Sequence, residues 1–127
     1  MFDHVGFPVS DLKKSRAFYE AALAPLGVGV KMELKAEDTG GYEGLGLGRT
    51  RPQFWIGTGT GISEAIHVAF EASDRAAVDA FYKTALAAGG TDNGAPGLRP
   101  HYHPDYYGAF VRDPDGHNIE AVCHHPA

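Results

Sequence analysis

Apolar and polar positions along this chain change rhythm in a fixed order. Between Phe2 and Val9, Val5, Phe7 and Val9 alternate with His4, Gly6 and Pro8, the two-residue period of a strand with one face buried. Ser10 or Asp11 then offers a capping oxygen. From Leu12 the apolar positions (Ala17 or Phe18, Ala22, Leu23) move to helical spacing, which Pro25 and Gly27 end. Alternation returns from Val28 to Leu34, Gly40-Gly41 reads as a turn, Gly44 to Gly48 alternates Gly with Leu, and Pro52 to Thr58 carries Phe54 and Ile56 on one face. The expected order is β-α-β-β-β.

That order then occurs again. A shift of about 63 residues lines up His4 with His67, Phe7 with Phe70, Ser10-Asp11 with Ser73-Asp74 and Phe18-Tyr19 with Phe81-Tyr82, a period that signals duplicated structural units. Module one spans about 1–58, the Gly/Thr-rich run about 59–63 has linker composition, and module two spans about 64–124. Its strand runs from Ala65 to Ala72 and its helix, capped by Ser73 or Asp74, to Leu86 or Ala88 before Gly89-Gly90. Asn93-Gly94-Ala95-Pro96-Gly97 replaces a clear second strand. Tyr106 to Arg112 alternates, Asp113-Pro114-Asp115-Gly116 suits a type I turn, and Asn118 to Cys123 closes a hairpin.

With 127 residues, 43% of them hydrophobic, the chain suffices for one domain, whereas modules of about 60 residues are marginal alone, so the copies must share a core or an interface. The net charge of −5 and the scattered basic residues exclude a nucleic-acid footprint. No stretch approaches the roughly 20 apolar residues of a membrane span, and a single cysteine, Cys123, suits a reducing, cytoplasmic setting.

The doubled His-Val-x-Phe…Ser-Asp…Phe-Tyr…Ala-Leu pattern and the closing Asp113-Pro114-Asp115-Gly116-His117-Asn118-Ile119-Glu120 resemble the vicinal oxygen chelate superfamily of glyoxalases, bleomycin-resistance proteins and extradiol dioxygenases. The resemblance implies an α+β fold in which two tandem β-α-β-β-β modules form a cupped, barrel-like mixed sheet. It also implies metal ligands on the first and last strand of each module, and a homodimer. Carried over, it gives His4, His67 and Glu120, with the fourth position at Trp55 or Ile56. Face parity selects Trp55, because Phe54 and Ile56 form the apolar face. Two imidazoles and a carboxylate suit one divalent ion (Fe, Mn, Ni or Zn), with open positions for a small oxygenated substrate. Taken singly, each residue has a plainer reading: a surface His4, a hydrogen-bonded core His67, a solvated Glu120.

Trp55, Tyr42, Tyr106 and Tyr107 are candidates for an aromatic substrate pocket, although aromatics at strand spacing also build cores. Gly44, Gly46 and Gly48 leave one strand face bare, for a ligand or for close packing. His103, in the His101-Tyr102-His103 loop, is the candidate acid/base group; His117, His124, His125 and Cys123 read as structural or solvent-exposed. Glyoxalase members ask for a carboxylate where this chain has Trp55, and fosfomycin-resistance transferases for a Thr where it has Gly6. Extradiol-type dioxygenase is therefore the leading class, and a metal-free binding or sequestering protein the alternative.

Overall fold

The computed structural model of the protein describes residues 1–63 and 65–127. The expected start of module two, near 64, falls on the position outside the described residues. The N-terminal half comprises β1 (Val5–Val9), α1 (Leu12–Leu23) with a 3-10 turn at Ala24–Leu26, β2 (Gly29–Leu34), α2 (Ala36–Thr39), β3 (Gly44–Gly48) and β4 (Phe54–Thr58). The C-terminal half comprises β5 (His67–Glu71), α3 (Arg75–Ala87), β6 (Thr91–Asp92), β7 (Gly97–Leu98), β8 (Tyr107–Arg112) and β9 (Asn118–Cys123). Each half makes its own mixed sheet, in the orders β1-β4-β3-β2 and β5-β9-β8-β6, with β7 also on β8. In both, the first and last strands pair parallel and the others antiparallel.

Helices α1 and α3 start where a capping side chain is available. Asp11 Oδ1 accepts from the Lys14 N–H at 3.1 Å and Asp74 Oδ1 from the Ala77 N–H at 2.7 Å, each satisfying a first-turn donor that has no intrahelical partner. Aspartate thus caps at both sites, while Ser10 donates its backbone N–H and hydroxyl to Asp115 across the molecule. After α1, Pro25 enters the 3-10 turn and Gly27, at φ 76°, supplies the left-handed residue that stops it.

Two departures from the expected elements have local causes. The Gly40-Gly41 turn is preceded by the single helical turn α2, ended by Gly40 in the left-handed region at φ 80°. In the C-terminal half the irregular second strand forms as two fragments, β6 and β7, against one continuous β8. Pro96 has no N–H to give a ladder and Gly94 sits at φ 144°, so the chain leaves strand geometry there. Asn93 and Gly94 nevertheless keep backbone bonds of 3.0 and 2.8 Å to Phe110.

The halves share one core. Helices α1 and α3 pack on each other, Phe18, Tyr19 and Phe81 are fully buried, and Phe54 of β4 meets Phe70 of β5 edge-on at 5.1 Å. Phe7 of β1 lies 4.3 Å from the His117 ring, and the Tyr19 hydroxyl donates to Asp113 at 2.5 Å. Among the described residues, no helix is long and apolar enough to cross a membrane.

Candidate functional site

Strand parity places Trp55, His67 and Glu120 on the sheet faces turned away from this core. In the first sheet Val5 pairs with Phe54 and Gly6 with Trp55; in the second, His67 pairs with Asn118 and Ala69 with Glu120. Trp55 and Glu120 therefore occupy equivalent positions, and continuing the register by one sets His4 opposite Gln53 as His67 is set opposite Asn118. Ile56 and Ile119, one residue along from Trp55 and preceding Glu120, are fully buried on the core side.

Glu120 is the centre of the second-sheet face. Its carboxylate is 2% exposed, yet among the described residues no Lys or Arg pairs with it. The Tyr106 hydroxyl donates to Oε2, and His67 Nε2 lies 3.3 Å from Oε1. His67 Nδ1 is 3.0 Å from the Asn118 carbonyl, which only accepts, so Nδ1 carries a proton and Nε2 is the ring atom turned toward the carboxylate. A ring nitrogen this close to a buried carboxylate calls for a positive species there, either a proton on Nε2 or a metal ion held by both. The donor set thus fits a divalent cation. The Phe110 ring stacks on His67 at 6.2 Å, and burial, followed by the bond to Glu120, pushes the Tyr106 hydroxyl well above the usual tyrosine range, keeping it a donor at neutral pH.

His4 is not brought to this pair. It is exposed, with Nδ1 2.8 Å from Asp3 Oδ1, and Asp3 also meets Arg51 at 3.4 Å; these partners, His4 first, hold the Asp3 carboxyl below its usual range. Among the described residues no cluster of three or more His, Cys, Asp and Glu side chains is poised to hold a metal. Tyr42 and Trp55 do come together, lining a cavity of about 270 Å³ with Gly6, Phe7, Pro8 and Thr58 on the first-sheet face. Two further cavities, of about 230 and 540 Å³, contain neither His67 nor Glu120.

The two tyrosines at the start of β8 separate. Tyr106 reaches Glu120, whereas Tyr107 turns to the helix side, donating to Asp79 on α3 at 2.6 Å beneath the Arg75 guanidinium. Tyr107 therefore belongs to the packing of α3 and not to a pocket with Tyr106. His103 is exposed, its Nδ1 accepts from the Asp105 N–H at 3.1 Å, and its ring meets His124, which in turn meets Tyr106. It stands two rings away from Glu120. Sequence reasoning missed Phe110 and Gly108 as parts of the site. Phe110 pairs directly with Glu120 across the hairpin, so turn position combined with strand register was the available signal.

Residues 1–121 match the Glyoxalase/Bleomycin resistance protein/Dioxygenase superfamily. The chain belongs to that superfamily. Among solved structures it is similar to a glyoxalase/bleomycin resistance protein from Albidiferax ferrireducens T118, at 31% identity over 97% of this chain and 98% of that one, with a TM-score of 0.75. Two matches of lower identity share the fold. Glyoxalase I from Zea mays is 24% identical over 96% of this chain and 45% of that one, at a TM-score of 0.72. A mutant of the fosfomycin resistance protein FosX from Listeria monocytogenes is 18% identical over 96% and 90%, at 0.71. No curated protein sequence matches the chain significantly.

Proposed function

We propose that the protein is a divalent-metal-dependent enzyme of this superfamily that acts on a small oxygenated molecule at the His67–Glu120 face, with extradiol-type dioxygenase as the leading reaction class. One observation carries the reading: a buried carboxylate that, among the described residues, pairs with no Lys or Arg and lies 3.3 Å from an imidazole nitrogen whose ring is fixed from its other side by a backbone carbonyl. The ion, one of Fe, Mn, Ni or Zn, would supply Lewis acidity to a substrate oxygen. His67 and Glu120 would hold it, the Asn118 carbonyl fixes the imidazole, and Tyr42 and Trp55 line an apolar cavity on the first-sheet face.

The third ligand is His4 of the partner subunit in a homodimer. Within one chain the core faces of the two sheets are paired, so each sheet presents half a site, and β1 and β5 are sheet edges open to a second copy. Exposed Phe2 and Val5 flank His4 at one of those edges. In the same fold, the Listeria protein is seen in complex with Mn(II) and a dihydroxypropylphosphonic acid, a divalent ion and a small oxygenated molecule. A cytoplasmic setting accords with the buried free thiol of Cys123. Trp55 in the place equivalent to Glu120 argues against a four-ligand glyoxalase centre.

A metal-free binding protein is the second reading, favoured by the aromatic cavity at Tyr42 and Trp55. Elemental analysis separates the two. The metal reading expects close to one ion per chain, lost in His67→Ala and Glu120→Gln while the circular dichroism spectrum stays that of the folded protein. Less than about half an ion per chain after incubation with Fe(II), Mn(II), Ni(II) and Zn(II) in turn leaves only the binding-protein reading, since an open His/carboxylate site takes up at least one of them.

A further inference from the structure

Glu120 has two carboxylate oxygens, and they face different partners. Oε1 lies 3.3 Å from His67 Nε2, on the side where the ion is placed above. Oε2 accepts the Tyr106 hydroxyl. Room for this arrangement comes from Gly108 on β8, where a Cβ would stand 3.0 Å from Glu120 Oε2 and 3.1 Å from Tyr106 Cε1. Tyr106 is itself held from behind: its ring packs edge-on against Tyr102 at 4.9 Å and His124 at 5.2 Å. Its backbone closes the 99–106 loop, donating to the His103 carbonyl at 3.1 Å and accepting from the Arg99 N–H at 2.7 Å.

From this geometry, and resting on the metal reading above, we infer that Tyr106 is a positioning residue that occupies Glu120 Oε2, commits the carboxylate to ligate through Oε1, and ties the ligand to the 99–106 loop. A carboxylate with both oxygens free can rotate or ligate through both, changing how many positions are left for substrate. Tyr106 removes that freedom in advance, in the manner of outer partners that orient a metal ligand. The loop is the one that carries exposed Tyr102 and His103, so a ligand that moves it also moves the hold on Glu120.

Cobalt(II) is the test ion, because its visible absorption reports coordination number independently of turnover. Tyr106→Phe keeps the ring and loses the hydroxyl. It should bind Co(II) about 10–100-fold more weakly than the wild type, the usual effect of removing a ligand's hydrogen-bond partner. The band intensity of the bound fraction should fall as the freed oxygen joins the ion, with the melting temperature within a few degrees of wild type. Gly108→Ala, which crowds Oε2 with Tyr106 intact, should change the spectrum in the same direction. Wild-type affinity and spectrum in Tyr106→Phe overturn the inference. So does weaker binding by Tyr106→Phe with an unchanged spectrum, accompanied by wild-type behaviour of Gly108→Ala, which marks the phenol as a packing group. Failure of the wild-type protein itself to bind Co(II) or any of the four ions refutes the metal reading and this inference with it.

Discussion

Asp113 joins the two halves at a point that neither half contains alone. Its Oδ2 accepts from Tyr19 of α1 at 2.5 Å and from His117 Nδ1 at 2.7 Å, and its Oδ1 from the N–H groups of His117 and Asp115. His117 is fully buried; its Nε2 has no partner among the described residues and its ring lies against Phe7. Removing the carboxylate leaves three buried donors (the Tyr19 hydroxyl and the ring and backbone N–H of His117) and the part-buried Asp115 N–H without this partner, so Asp113→Ala should cost about 3 kcal/mol or more in a denaturant titration. Tyr19→Phe removes one bond to the buried carboxylate and should cost about 1–3 kcal/mol. The same tyrosine gives a pH signature. Burial first, then the Asp113 charge, raises its hydroxyl well above the ordinary value of 10.0. The folded state therefore retains a proton that the unfolded chain gives up above pH ~10, and the stability it confers is complete below that pH and declines above it. Melting temperatures recorded from pH 8 to 11 should fall less steeply in Tyr19→Phe than in the wild type. His117 and Tyr19 were legible only as a turn histidine and a helix aromatic, because 94 residues of sequence separate Tyr19 from the carboxylate that pairs with it.

At the scale of elements, the Gly-Leu alternation of β3 has a physical reason that periodicity alone left open. A Cβ at Gly46 would meet the Trp55 ring at 2.8 Å, and one at Gly57 of β4 would meet the Tyr42 hydroxyl at 2.1 Å. The bare strand face thus lets the protein's own aromatic rings approach the sheet closely. Gly48 differs, since its Cβ would stand 1.8 Å from the Arg51 carbonyl oxygen, in the backbone of the turn between β3 and β4. A ring can swing aside and a turn backbone cannot. Gly48→Ala should therefore destabilise more than Gly57→Ala, by about 2 kcal/mol or more, while Gly57→Ala should mainly move Tyr42 and change the environment of the neighbouring Trp55. Urea midpoints measure the first difference. Fluorescence of Trp55, the single tryptophan of the chain, reports the second. Helices α1 and α3 and a Ser or Asp cap at each followed from spacing and side-chain chemistry, with the structure choosing Asp, whereas α2 and the division of β6 from β7 depend on single Gly and Pro positions whose effect is set by the strands beside them.

For the whole molecule, the consequence of duplication is a division of labour. The first sheet presents Trp55 and Tyr42, the second presents His67, Glu120 and Tyr106, and His4 precedes the edge strand β1, apart from His67 and Glu120. If the partner subunit supplies His4, neither His4→Ala nor His67→Ala binds an ion tightly alone. Mixed after dissociation and reassociation, they form heterodimers in which one of the two sites has an intact His4, His67 and Glu120. Random pairing makes half the dimers hetero, so about a quarter of all sites should recover metal. A His4→Ala protein that keeps wild-type affinity, or a mixture that recovers none, shows that His4 of the partner subunit is not a ligand.

Alternation, capping residues and the repeat were enough by themselves to determine the strand-helix start of each half, the core face of the first strand and of the strands carrying Phe54 and Ile119, and, given the family resemblance, the choice of Trp55 over Ile56, because each depends on neighbours along one chain or on a strict two-residue parity. Only the tertiary structure decided which chemistry-bearing groups meet. It joined His67 to Glu120 and Tyr106, turned Tyr107 to the helix and left His4 apart. The relative placement of two sheets depends on packing between residues far apart in the chain, such as Phe7 with His117 and Phe54 with Phe70, and no local periodicity encodes it.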